Sequence, residues 1–549
     1  MWQYLRHILQ STVALQDKNM PEQNETITVE KALELGLQHY EAKRLPEAEH
    51  VYAQILNKFP DQHVALHMLG LIAHIVGNNE VAVDLITKSV RIKPDYVDAH
   101  NNLGIALQTL GRHEDAIASY GKALAINPNF PAAHNNLGTA HYQLGNIREA
   151  VTKYQNALDI SSDYFDAHLN MGVALAFIGK LEEAVAAYRK AVEIKPDHVE
   201  THTNLGATLR NLGRLEEAIN SYETAVALQP DYADAHNSLG NTLRDDDRSA
   251  EAIASYQTAL VAHPDFTIAQ HNIGTTLQEL GRVEEAVGYL EKIDTTLSRP
   301  ALLECIYSLG DKSRFYSELK SITEKDKTNI GVAAVSAFAS HQFNCPDPYP
   351  FCNSPLDFIH KNNLLTNNGM DDSFLDVVSE EIVLLKLGGG NQSLLHAGFQ
   401  SSGSLFIEPR GSLAQLAAAL QKEINSYFSH YSESSCLYVK LRPQDHILRG
   451  WYIVMRQGGF LKPHNHPSGW LSGVLYLKIP AKNGDEGNIE FGLHGKDLPV
   501  LNHEYPKKIC SVTEGDLVLF PSSLFHRTLP FSSKEKRLCI AFDLTPKEK

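Results

Sequence analysis

Residues 461–480 read LKPHNHPSGWLSGVLYLKIP and place His464 and His466 one residue apart, fenced by Pro463 and Pro467. About sixty residues on, GDLVLFPSSLFHRTLPF ends an apolar run with a third histidine, His526, and eleven residues later Arg537 opens RLCIAFDL. Neutral imidazoles bind divalent transition metals through one ring nitrogen, so an H-x-H pair with a distant third histidine is a candidate ligand set. Two polar residues in a turn would give the same H-x-H. The elements around the pair have to decide.

Those elements are short and β-type. Residues i and i+2 of a strand point the same way, which puts His464 and His466 on one face and Asn465 on the other. Arg537, Cys539 and Ala541 likewise share a face, and the two small side chains leave room beside the guanidinium. SLFIE, CLYVKL, GWYIVMR, LSGVLYLKI, NIEFG, DLVLFP and RLCIAFDL all read as strands separated by Gly, Pro and Asn turns, with one helix at about 412–430. Many short strands of this kind predict a double-sheet jelly roll.

The first half of the chain has a different period. Gly36, Gly70, Gly104, Gly138, Gly172, Gly206, Gly240 and Gly274 recur every 34 residues. A second glycine follows seven residues later in six of the eight periods, Lys43 and Asp247 being the exceptions. Alanines from Ala48 to Ala286, tyrosines such as Tyr52 and Tyr120, and prolines such as Pro94 and Pro128 hold the same register. The first glycine lets two helices touch, the second ends a helix, the alanine and tyrosine pack small against large, and the proline starts the next turn. This pattern resembles the tetratricopeptide repeat, with eight units over residues 29–300. The resemblance implies a superhelix with a long concave face.

Two further columns differ in meaning. Asn102, Asn136, Asn170, Asn204 and Asn272 recur, with Ser238 interrupting. An asparagine amide carries both donors and an acceptor, so such a column can hold an extended peptide without reading its side chains. A solvated polar face would look the same. The segment DAHNNLGIALQTLGRHEDAIASYGKALAINP is similar to the repeats of the O-linked N-acetylglucosamine transferase family, where such a ladder holds polypeptide. The histidine column His100, His134, His168, His202 and His236 has a spacing too wide for a shared metal, since packed helices lie roughly 10 Å apart. It is expected to pack.

Composition bounds the rest. At 549 residues the chain needs more than one core, and its 43% apolar and 21% charged content is that of a soluble globular protein. A formal charge of −16 argues against nucleic acid or an anionic membrane as partner. No apolar run is long enough for a transmembrane helix, and the start, MWQYLRHILQSTVALQDK, is expected to be a short amphipathic helix rather than a signal peptide. Six cysteines without a C-x-x-C pair imply neither a disulfide framework nor a zinc ribbon, so a cytoplasmic location is expected.

With the strands placed, residues 450–545 resemble the Fe(II)/2-oxoglutarate-dependent oxygenases, most closely a group with an H-x-H-P…S-G-V-x-Y-L signature and a late F-P-S…H…R block. The resemblance implies that His464 and His526 bind iron, that Arg537 clamps the outer carboxylate of 2-oxoglutarate, and that Tyr476 hydrogen-bonds the same carboxylate. His466 stands where the wider superfamily has an aspartate or glutamate. It is expected to complete a three-histidine ligand set; the alternative is that it lies behind the metal and only His464 and His526 bind, and a carboxylate such as Glu490 or Asp543 in its place would overturn the set. The fold class expected is therefore α + β multidomain, an all-α tetratricopeptide superhelix followed by a double-stranded β-helix (jelly roll).

The expected boundaries are an extension over 1–28, repeats over 29–300, irregular capping helices and connector over 301–374, and the oxygenase-like domain over 375–549. The activity implied is hydroxylation of a protein or peptide held in the repeat groove, with dioxygen and 2-oxoglutarate as co-substrates. The alternative is an interaction scaffold whose jelly roll is inactive. A glycosyltransferase, suggested by the repeats alone, is rejected because the strand-rich C-terminus leaves no room for a nucleotide-sugar fold.

Overall fold

The computed structural model describes residues 28–390, 394–403, 405–481, 483–495 and 498–547, so the expected N-terminal amphipathic helix lies outside the described residues. The chain divides into two compact units, Met1–Ala174 and Leu175–Lys549, the boundary falling inside the fifth helix pair.

Sixteen helices, from α1 (Val29–Glu41) to α16 (Val283–Leu290), form eight pairs with the tetratricopeptide period. The glycine column sits where the helices of a pair touch. In the third pair, α5 (Val97–Thr109) and α6 (His113–Ile126), a Cβ added to Gly104 would run into the Tyr120 ring. Where tyrosine is missing from its column, Ile86 and Leu290 fill the same space against Gly70 and Gly274. The second column ends the first helix of each pair with a left-handed residue, as at Gly111 (φ 73°). The two exceptions take that conformation without glycine: Lys43 has φ 57° and Asp247 φ 59°.

The repeats are followed by three helices, α17 (Ser298–Ser308), α18 (Lys312–Lys325) and α19 (Ile330–Gln342). Nearly every residue of α19 is buried, which suits an apolar helix that covers others. Its last residue, Gln342, accepts the backbone N–H groups of Leu501 and Asn502, each at 2.7 Å, and donates to Asn502 O at 2.9 Å. Tyr307 of α17 donates to Pro499 O at 2.7 Å. The end of the helical stack is thus hydrogen-bonded to a loop of the β domain.

The β domain is an antiparallel ten-stranded sheet of jelly-roll-like order. Its strands are β1 (His360–Asn363), β2 (Gly389–Gly390), β3 (Leu395–Ser401), β4 (His446–His464), β5 (Leu471–Lys478), β6 (Ile489–Gly492), β7 (Lys507–Cys510), β8 (Asp516–Pro521), β9 (Phe525–Thr528) and β10 (Arg537–Pro546). The spatial order is β1-β8-β5-β10-β4-β9-β6-β7, with β3 beside β4 and β2 beside β3. Strand β1 falls inside the stretch read as connector and pairs with β8.

Long β4 serves both halves of the sheet. Residues 446–455 pair with β10, then the register shifts, and its last residue, His464, pairs with His526 of β9. The core between the halves gathers Ile453, Leu461, Val474, Tyr476, Ile489, Phe491 and Phe520.

Two expected strands are corrected. CLYVKL contains a helical turn, α23 (Leu437–Lys440), because Tyr438 is drawn into an aromatic cluster with Phe351, Tyr427 and Trp470. Leu405–Glu408 of SLFIE form turns, Glu408 having φ 47° directly before Pro409. The helix expected near 412–430 is α22 (Gly411–His430), numbered after α20 (Leu364–Asn368) and α21 (Ser373–Leu384).

Candidate metal and anion site

Strand β4 ends at His464, so His466 lies past the strand in a turn rather than on it. Its backbone N–H donates to Ser522 O at 3.0 Å, and Gly469 N–H donates to His466 O at 3.0 Å. The turn still brings the rings together. His464 and His466 are 5.2 Å apart between ring centres, His464 and His526 4.3 Å, and His466 and His526 5.1 Å. One ring nitrogen from each lies within 4.8 Å of the others.

The other nitrogen of each ring faces an oxygen that can only accept. His464 Nδ1 is 2.8 Å from Lys462 O, His526 Nδ1 is 3.4 Å from Leu524 O, and His466 Nδ1 is 2.7 and 2.9 Å from the two carboxylate oxygens of Asp543. Carbonyl and carboxylate oxygens have no proton to give, so each Nδ1 carries one, and in the neutral form of each ring the Nε2 lone pair is the one available. Burial, reinforced by His466, pushes the His464 pKa down to about 4. Burial, reinforced by His464 and His466, holds His526 well below the ordinary histidine range. Both are neutral at pH 7, the form that binds metal.

Beside the trio is a buried cation. Arg537 is 1% exposed. Its Nε donates to Gly487 O at 3.3 Å, and Nη1 meets only sulfur, Cys539 Sγ at 3.4 Å and Met455 Sδ at 3.9 Å. Among the described residues no carboxylate pairs with it. The Tyr476 hydroxyl, fully buried, has no hydrogen-bond partner there either. Burial holds this phenol above its ordinary range, so it remains a donor. A cavity of about 290 Å³ is lined by the three histidines, Arg537, Tyr476 and Asp543, with Trp451, Ile453, Val474 and Ile489 as apolar walls.

The arrangement fits a divalent metal with a small anionic chelator. Convergent neutral imidazoles suit the metal, and an unpaired guanidinium with an orphaned hydroxyl suits a carboxylate. Of the two carboxylates considered as ligands, Glu490 pairs with Arg527 at 2.9 Å, and Asp543 sits behind His466. Asp543 as the partner of His466 is the residue that sequence reasoning missed. The available signal was that Arg537, Cys539, Ala541 and Asp543 alternate along one strand face.

The asparagine column is also more specific than expected. Asn136 donates to Asn101 Oδ1 at 3.1 Å, Asn170 to Asn135 Oδ1 at 3.0 Å and Asn272 to Asn237 Oδ1 at 2.9 Å, each reaching back 35 residues. Asn102 donates to His67 Nε2 at 2.9 Å. The amide donors are therefore largely used within the array. Asn204 differs, because the residue 35 positions before it is Leu169, which offers no side-chain acceptor. The histidine column packs as expected: Nε2 of His100, His134, His202 and His236 bonds the carbonyl of Pro94, Pro128, Pro196 and Pro230 at 2.8–3.0 Å.

Residues 449–543 match a family described as "Putative 2OG-Fe(II) oxygenase". Residues 109–145, 138–176, 178–213 and 208–247 each match a TPR repeat model, and 239–295 match a tetratricopeptide repeat model. No curated protein matches the chain. Among solved structures, YrrB, a TPR protein with an unusual peptide-binding site, is 23% identical over 34% of this chain and 97% of its own, with a TM-score of 0.32. TTC0263, a thermophilic TPR protein in Thermus thermophilus, is 24% identical over 33% and 99%, with a TM-score of 0.27. MamA from Desulfovibrio magneticus RS-1 is 21% identical over 31% and 96%, with a TM-score of 0.30. The chain thus joins tetratricopeptide repeats, matched within residues 109–295, to a C-terminal segment, residues 449–543, that matches the "Putative 2OG-Fe(II) oxygenase" family model.

Proposed function

We propose that the protein is an Fe(II)- and 2-oxoglutarate-dependent dioxygenase that hydroxylates a protein or peptide held by its tetratricopeptide repeats. The observation that carries this reading is the juxtaposition of three histidines, one ring nitrogen of each within 4.8 Å of the others, with a buried guanidinium that lacks a carboxylate partner among the described residues. His464, His466 and His526 would hold Fe(II), and Arg537 and Tyr476 would hold the far carboxylate of 2-oxoglutarate. Iron with 2-oxoglutarate supplies dioxygen activation and oxygen insertion into a C–H bond.

The chain's own residues do the positioning. Lys462 O, Leu524 O and Asp543 fix the three tautomers and ring orientations. Arg537 contributes a charge-assisted anchor whose strength depends on its seclusion from water. Tyr476 keeps its proton and donates it in a hydrogen bond. Ile453, Leu461, Val474 and Ala541 exclude water around these groups. No helix among the described residues is long and apolar enough to cross a membrane. All six cysteines are free thiols, which fits a reducing cytoplasmic setting.

The repeats are the proposed substrate arm. Asn102, Asn136 and Asn170 are partly exposed with their amide donors tied to neighbours, Asn272 is buried, and Asn204 has Leu169 rather than an asparagine 35 residues before it, which makes Asn204 the leading contact for a peptide. The test is succinate formation from 2-oxoglutarate by the purified chain with Fe(II), dioxygen and candidate peptides. Iron-dependent succinate that disappears in His526→Ala supports the reading. An equal yield from both proteins sinks it.

A further inference from the structure

Asp543 is 9% exposed and, among the described residues, has no lysine or arginine near enough to pair with. Its Oδ1 accepts from Ser472 Oγ at 2.7 Å, and Ser472 Oγ lies 2.8 Å from Ser522 Oγ. Both carboxylate oxygens face His466 Nδ1, at 2.7 and 2.9 Å. The pocket is built to this shape: a Cβ on Gly469 would come 3.0 Å from the Asp543 carboxyl carbon and 2.8 Å from Ser522 Oγ. A buried carboxylate is costly unless its oxygens are hydrogen-bonded or paired. Its donors here are Ser472 and a histidine whose far nitrogen faces the other two.

The three candidate ligands are not equivalent. His464 and His526 have neutral carbonyls behind them, and only His466 has a negative charge. His466 is also the residue that stands where related sites place a carboxylate ligand. We propose that Asp543 is a positioning residue which supplies that missing negative charge through His466, one hydrogen bond removed from the metal. The proposal rests on the iron reading above. A divalent ion held by three neutral imidazoles with Asp543 behind one of them has the net charge of a site where two imidazoles and a carboxylate bind directly. The Nδ1–H···carboxylate bond strengthens His466 as a donor, and Ser472 and Ser522 hold the carboxylate in line.

The experiment is anaerobic chelator competition with Co(II), run on the full chain and on Asp543→Asn, Ser472→Ala, His466→Ala and the His466→Ala/Asp543→Asn double variant. Asparagine keeps the size and an oxygen to accept from Nδ1, so it removes mainly the charge. Asp543→Asn should weaken Co(II) binding about ten- to hundredfold. If that variant does not fold, Ser472→Ala carries the test, with a loss of severalfold expected and no loss overturning the proposal. In the His466→Ala background the effect of Asp543→Asn should vanish, since its only route to the metal is gone. An Asp543→Asn protein that binds Co(II) as tightly as the unaltered chain overturns the proposal. So does an equal loss in the presence and absence of His466, which would mark Asp543 as a structural residue. Failure of the unaltered chain to bind Co(II) would instead overturn the iron reading itself.

Discussion

The guanidinium carbon of Arg537 lies 5.0 Å from the centre of the Tyr476 ring. Among the described residues, the cation has no carboxylate and the phenol hydroxyl no hydrogen-bond partner. A buried cation without a carboxylate and a buried hydroxyl without an acceptor, both lining one cavity, suit a carboxylate. Arg537→Gln should therefore raise the 2-oxoglutarate dissociation constant about ten- to hundredfold, the worth of one charged hydrogen-bonding group. Bound iron should be unchanged, as measured by metal analysis of the same samples. Parallel loss of iron would show that Arg537 maintains the fold of the site rather than the anion.

The asparagines separate into two groups by stability. Asn136→Ala removes the donor to Asn101 Oδ1, whose residue is buried, and should cost about 1–2 kcal/mol of stability. Leu169, 35 residues before Asn204, offers no side-chain acceptor, so the melting temperature of Asn204→Ala should stay close to that of the unaltered protein. A peptide substrate should nevertheless bind Asn204→Ala more weakly, which a fluorescence titration would detect. Unchanged affinity would mean that Asn204 lies outside the binding surface.

Gly104 lets its helix touch the Tyr120 ring of the paired helix. A Cβ there would overlap the Tyr120 ring, and Tyr120 is fully buried with no room to retreat. Gly104→Ala should destabilise by about 1–3 kcal/mol through overpacking. Thermal unfolding followed by circular dichroism measures this. A variant as stable as the parent would show that the helix pair can part without penalty.

Acid should loosen the N-terminal unit through His67. Burial, with a smaller contribution from His63, lowers its pKa from 6.5 to about 4. Its Nε2 accepts from Asn102, so Nδ1 carries the proton facing the Tyr96 hydroxyl at 3.0 Å. The unfolded chain binds a proton near pH 6.5 and the folded chain does not until about pH 4. The stabilisation is complete above pH 6.5 and is lost as pH falls toward 4, by on the order of 3 kcal/mol. His67→Gln should flatten the pH dependence of urea unfolding in that window, and an unaltered slope would contradict the assignment.

Periodicity made the repeats legible because each column has one physical task repeated eight times, and Gly104 against Tyr120 shows that task directly. The strands from Gly450 to Leu544 were legible because short apolar β-type runs stand between turn residues; β5, β8 and β10 are buried on both faces and read as continuous apolar stretches. Local signals failed at Leu437–Lys440, where β-type residues form a helical turn because Tyr438 packs with Phe351 and Trp470. They failed again at His466, which a strand would have placed beside His464 but which a turn places there instead. Alternation put Asp543 on the strand face of Arg537, but its pairing with His466, 77 residues away, follows from the tertiary pairing of β10 with β5.

The central claim is that His464, His466, His526 and Arg537 form one site for Fe(II) together with 2-oxoglutarate. Anaerobic calorimetric titration of 2-oxoglutarate into the purified chain, with and without Fe(II), tests this most directly. The account predicts one equivalent bound in the presence of Fe(II), with markedly weaker binding when the metal is removed or when His526 is replaced by alanine. Binding that is indifferent to Fe(II), or no binding to an iron-loaded chain, would contradict it.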